Sequence, residues 1–241
     1  MLSLYNLIVY EPLYNGLILL MDTLPWADAG IIVILFTVIV KLILFPLSKK
    51  AVETQIQMKA VEPELTALKE QYKDDKQMLA RKQMDLYKEK GIRPFVSIFL
   101  IFIQLPIIFA LYRIFLHPGL PMIDQSILYA FVHVPQAVDM FFLGLDISKK
   151  QIILAIIVAV STFFQAKIMV QKNTPVAKKA GTPNSFKEDM MRNMNIQMLY
   201  VFPIIAGAIS WSISGAIALY WITSNLFTIG QELVLKRKLK K

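Results

Sequence analysis

Lys41 is the residue with the most chemistry to offer, because it lies inside an apolar run, IIVILFTVIVKLILFP, at residues 31–46. A lysine at the centre of a hydrocarbon helix costs at least ~2.5 kcal/mol on insertion scales, so it marks a functional position by default. A plainer reading stands beside that one. Ser48, Lys49 and Lys50 mark a boundary only seven residues on, ~10 Å of helix, and a lysine snorkels over that distance. Thr37 precedes Lys41 by four residues and shares its helix face.

Other apolar stretches carry polar residues at helical spacing. Gln104 is central in a second stretch, and Ser161, Thr162 and Gln165 fall on one face of a third. Trp221, Ser224, Asn225 and Thr228 do the same near the C-terminus. Such residues either join helices by hydrogen bonds or line a shared wet cavity, since polar groups at membrane depth are tolerated where they meet water. The spacing alone leaves both readings open. Polar faces on four helices of five, together with a cation, suggest a shared wet cavity. No Gly-rich phosphate loop, metal-binding histidine pair or nucleophile constellation is present, so neither an enzyme nor a cofactor is expected.

The elements that must position these residues are membrane helices. The 241 residues are 56% hydrophobic, the mean hydropathy is +0.54, and several apolar runs approach 20 residues. Continuous rather than alternating runs favour helices over a β-barrel. With no cysteine, disulfides, thiol catalysis and cysteine metal sites are excluded. The net charge of +9 is unevenly placed, so its distribution matters more than its sum.

In chain order, residues 1–28 lack a basic n-region and place Glu11, Asn15 and Asp22 on one side, which reads as an extracytoplasmic amphipathic helix in the interface. A true span is the alternative there. A first span covers 29–48. The charged stretch 49–93 follows, with Met58, Val61, Leu65, Leu68 and Tyr72 spaced as a heptad seam and Gly91 at its end, which predicts a helical hairpin in water. Pro63 should kink its first arm or start it. A second span covers 94–115, a loop 116–150, with a turn at His117-Pro118-Gly119, and a third span 151–170. A linker, 171–194, holds Met190, Met191 and Met194. Residues 196–235 would be ~60 Å long as one helix, twice the hydrocarbon core, so they are read as fourth and fifth spans at 195–211 and 215–235 before a basic tail, 236–241.

Five spans put the hairpin, the stretch from Lys167 to Arg192 and the tail on one side with 22 of the 26 lysines and arginines, which the positive-inside rule makes cytoplasmic. The N-terminus is then outside and the C-terminus inside. A span at 127–145 is rejected because it would move the basic linker outside.

Several blocks are similar to the YidC/Oxa/Alb membrane-protein insertases. They are Pro46-Leu47-Ser48 after the first span; Met58-Lys59-Ala60 and Gln71–Lys76 in the hairpin; Leu86-Tyr87-Lys88-Glu89 with Pro94; Gln104–Tyr112; and Leu219–Gln231. The resemblance runs from about Tyr5 to Gln231. It implies an all-α polytopic bacterial plasma-membrane protein, with five transmembrane helices around a hydrophilic groove open to cytoplasm and lipid. It places the groove cation, usually arginine, at Lys41, and groove positions at Thr37, Gln165, Trp221 and the preceding Tyr220. The implied function is insertion and folding of nascent membrane proteins. The implied partners are nascent membrane-protein segments and membrane lipid, with the ribosome and the Sec translocon beside them, and no DNA. Lysine in place of arginine keeps the charge but loses the planar donor fork. Two other classes compete: a small transporter or channel using Lys41 as an anion or proton site, and a scaffold whose hairpin docks a soluble partner.

Overall fold

In a computed structural model, residues 2–93, 96–116, 120–169 and 196–239 are described. The predicted linker at 171–194, its methionine cluster, Pro94 and the turn at 117–119 lie outside them. The described residues are helical apart from loops and one two-stranded ribbon, and they form two compact units. One comprises residues 1–41 and 109–232, the other 42–108 and 233–241.

The first unit opens with α1 (Leu2–Tyr5), a π turn (Asn6–Tyr10) and α2 (Glu11–Thr23). A second π turn (Gln197–Val201) precedes α9 (Phe202–Ser212). Both wide turns stop one residue short of a proline, Pro12 and Pro203. A proline has no N–H to donate and its ring collides with the carbonyl four residues back, so the preceding turn opens to i−5 bonding. The Glu11 and Phe202 N–H groups accordingly donate to the carbonyls of Asn6 and Gln197.

α3 (Ala29–Ile43) is apolar and starts at Asp28, whose carboxylate accepts from Ile31 N–H at 2.9 Å. The helix breaks at Leu44, and α4 (Phe45–Ala60) restarts with Pro46 in its first turn. Residues 29–48 are therefore divided between two helices, because Pro46 cannot donate to the carbonyl of Leu42. α7 (Val96–Leu116), α8 (Ile152–Met169) and α10 (Gly215–Leu239) complete the long helices.

Among the described helices, α8 is long and apolar enough by itself to cross a membrane, with 18 residues and a hydropathy of 2.2. α3 and α4 reach that measure only as a pair. Phe102–Phe115 and Gln197–Ser212 are shorter apolar helices. The exposed face of α8 is apolar, unlike the outer face of a helix in a water-soluble bundle. α8 exposes Ile152, Ile153, Ile156, Ile157, Val160 and Phe164, while Ser161 and Thr162 are buried with Leu154, Ala155 and Val158. An apolar outer stripe with polar groups inside is the pattern that lipid selects. α9 crosses α8 closely because Gly207 has no side chain: a Cβ there would lie 3.0 Å from that of Ala159.

The loop 120–149 is pinned to the helix starts. Its ribbon pairs β1 (Phe141–Phe142) with β2 (Leu145–Asp146). Ala29 N–H donates to Asp139 O at 2.8 Å, and Gly215 and Ala216 N–H donate to Lys149 and Ile147 O, each at 2.9 Å. Phe142 packs against Gly30, where no Cβ fits. Asn15 is the other clasp. Its amide donates to Ile127 O at 2.9 Å and its carbonyl accepts from Tyr129 N–H at 2.7 Å. Asp22 contacts His133 at 3.4 Å. Two residues of the polar side read for residues 1–28, Asn15 and Asp22, thus meet the loop, and Asn15 is 2% exposed because it satisfies backbone groups that would otherwise be buried unpaired.

The second unit contains the hairpin. α5 (Glu62–Gln71) starts with Pro63 in its first turn, and α6 (Lys76–Glu89) is capped by Asp75, which accepts from Gln77 and Met78 N–H. Val61, Leu65, Leu86 and Ile92 form its core, with Met58, Leu68 and Tyr87 packed on it. Of the seam read from spacing, Met58, Val61, Leu65 and Leu68 belong to that core or pack on it, and Tyr72 does not. Gly91, at φ +66°, closes α6: Gly91 N–H donates to Lys88 O at 3.1 Å and Ile92 N–H to Tyr87 O at 2.8 Å, the paired bonds of a Schellman cap. Lys90 and Glu64 join the two arms at 2.9 Å.

Candidate functional site

One face of α10 carries the candidate polar residues and bridges two other helices of the first unit. Asn225 Nδ2 donates to Ser161 Oγ at 3.0 Å and Thr162 Oγ1 at 2.9 Å on α8. One turn further along α10, Thr228 Oγ1 accepts from Lys41 Nζ on α3 at 3.4 Å and itself donates to Ser224 O at 2.8 Å. α3, α8 and α10 all start at the end clasped by the 139–149 segment, so they run parallel. Gln165 lies one turn past Ser161 on α8.

The candidates divide by exposure. Lys41, Gln165 and Trp221 are partly exposed. Ser161, Thr162, Ser224, Asn225 and Tyr220 are buried, between 3% and 8% exposed. The first two and Asn225 are joined to one another, the interhelical-glue reading of their spacing. Thr37 is 0% exposed and its hydroxyl donates to Val33 O at 2.6 Å. It shares a helix face with Lys41, its hydroxyl is bonded within its own helix, and protein covers it. Gln104, partly exposed, belongs to the second unit.

Lys41 forms no ion pair among the described residues. Thr228 was visible in the sequence as part of a polar face, but its contact with Lys41 links positions 187 residues apart. Glu232, one turn beyond Thr228 and inside the stretch read as the fifth span, is 2% exposed. Among the described residues no cluster of histidine and acidic side chains could hold a metal.

A parallel set of helices with apolar outer faces, polar contacts inside and a cation between them defines a helical membrane protein. The 60Kd inner membrane protein family model matches residues 21–241, and the chain belongs to this family, which is the YidC/Oxa1 family. Relatives named membrane protein insertase YidC include that of Fusobacterium nucleatum, 32% identical over 95% of this chain and 98% of its own length. That of Clostridium tetani is 29% identical over 89% of this chain and 84% of its own length. That of Oceanobacillus iheyensis is 30% identical over 86% of this chain and 74% of its own length.

Proposed function

We propose that this protein inserts nascent membrane proteins into the bacterial plasma membrane, with Lys41 as the receiving charge of a hydrophilic groove. The observation that carries the reading is the state of Lys41: partly exposed, bonded only at 3.4 Å to a hydroxyl, and without an acidic partner among the described residues. A cation in a low-dielectric setting attracts a carboxylate more strongly than in water. At 4 Å the interaction is about 4 kcal/mol at an effective dielectric of 20, against about 1 kcal/mol in water. A polar or acidic flank of a nascent segment enters from the cytoplasm, meets Lys41, and is hydrated beside Gln165 and Trp221. The adjoining apolar segment meets lipid along the outer faces of the helices and partitions into it by hydrophobic transfer.

No bond is made or broken, and the protein is not an enzyme. Five spans, with the N-terminus outside and the hairpin and C-terminus in the cytoplasm, follow from the distribution of basic residues. The hairpin faces the ribosome and the incoming chain, and the Sec translocon is a neighbour. The family membership favours insertion over the transporter reading.

The test has two arms. Single cysteines at 41, 165 and 221, introduced into a chain that has none, should all react with a water-soluble maleimide in membranes, while a cysteine at 37 stays protected. Lys41→Ala should fail to rescue insertion of a one-span, acid-flanked substrate in insertase-depleted cells. Protection at all three groove positions, or full rescue by Lys41→Ala, would remove the groove from the account.

A further inference from the structure

We infer that the β1–β2 ribbon is a membrane-interface anchor, with Phe141 and Leu143 inserted into the headgroup region of the lipid leaflet at the start of α3, α8 and α10. The ribbon is stapled to the first residues of two of these helices, by Ala29 N–H on Asp139 O and Ala216 N–H on Ile147 O, and Gln151, just before α8, donates from its side chain to Asp146 O at 2.7 Å. Its height is therefore that of the helix starts, which is where an apolar span meets the headgroups.

Side chains alternate along the ribbon. Phe142 turns inward onto Gly30, while Phe141 and Leu143 turn outward at 59% and 86% exposed. Leu143 sits in the turn at φ +50°, a left-handed conformation that glycine or asparagine adopts at far less cost. A leucine held there, almost wholly uncovered by protein, gains nothing from water and gains apolar contact in a leaflet. Trp26, three residues before α3 and 73% exposed, stands at the same level, the depth at which tryptophan is enriched in membrane proteins. The occupant is thus lipid.

The inference rests on the proposal that α3, α8 and α10 cross the bilayer from this end. Single cysteines replacing Phe141, Leu143, Ile156 or Lys82 in the full chain carry a nitroxide, and the reconstituted protein is examined by spin-label accessibility in phosphatidylethanolamine–phosphatidylglycerol vesicles. Ile156, 59% exposed on α8, is the lipid reference, and exposed Lys82 on α6 the water reference. Labels at 141 and 143 should collide with oxygen in preference to a nickel chelate, at a depth of about 5–10 Å, as for interfacial apolar side chains. Chelate-dominated collisions matching those at Lys82, or shielding from both reagents by a protein partner, would overturn the anchor while Ile156 still reports lipid. Chelate-dominated collisions at Ile156 would overturn the spanning proposal itself, and the anchor with it.

Discussion

Removing the acceptors of Asn225 should destabilise the protein more than removing Asn225 itself. In Asn225→Leu both donors disappear along with the side chain that needed partners. Ser161 keeps its own bond, donated to Val158 O at 3.0 Å. The loss is two interhelical bonds, at about 0.6 kcal/mol each in membrane proteins, so about 1 kcal/mol. In Ser161→Ala/Thr162→Val the amide of Asn225, in a residue 3% exposed, keeps two N–H donors that have lost their α8 acceptors. Stranding a buried donor costs about 1–3 kcal/mol, so the double variant should lose roughly twice as much as Asn225→Leu. Thermal unfolding of the purified chain in detergent, followed by helical circular dichroism, measures the order. At about 2–4 °C per kcal/mol for a chain of this size, the two should be resolved. The triple variant should recover to near Asn225→Leu, since no amide is left to satisfy. An Asn225→Leu loss equal to or above that of the double variant, or strict additivity in the triple, would refute the reasoning.

Gly30→Ala should displace Phe142 and raise proteolysis of the 139–147 segment, and Phe142→Ala in the same chain should restore protection. Asp75→Ala removes two capping bonds and should cost the hairpin about 1 kcal/mol, read as faster amide exchange over 76–80. Leu86→Ala, at 8% exposed in the hairpin core, should cost about 2–5 kcal/mol and speed exchange throughout α5 and α6. The Lys149 ammonium and Ser148 hydrogen bonds hold the Asp146 carboxyl below the usual carboxylate range. A depressed acid contributes stability above its unfolded value, so that contribution is complete at neutral pH and fades as pH falls below about 4. Proteolytic sensitivity of the loop should rise across that window, and Asp146→Asn should show it at neutral pH.

The hairpin was the most legible part of the chain. Its seam spacing, Pro63 and Gly91 are local signals, and each acts where local rules place it. Pro46 was equally local, but the strength of the apolar run masked the break it imposes at Leu44. The candidate site was legible only as faces. Period 3.6 puts Thr37 beside Lys41, yet what covers one and leaves the other partly open is decided by packed neighbours, which a single helix does not encode. The Asn225 cluster joins positions 63 and 64 residues apart, and Asn15 reaches loop residues 112 and 114 away. Nothing in the spacing of Glu11, Asn15 and Asp22 distinguishes a water-facing side from one that satisfies a distant backbone.

The central claim concerns the charge at position 41, and insertion of paired one-span substrates, alike except for an acidic or a neutral flank, tests it most directly. Wild type and Lys41→Arg should insert both. Lys41→Gln should insert the acidic-flanked substrate more slowly than the neutral one, and Lys41→Glu should invert the preference. Acid-flanked insertion by Lys41→Glu at the wild-type rate would contradict attraction by Lys41 as the mechanism.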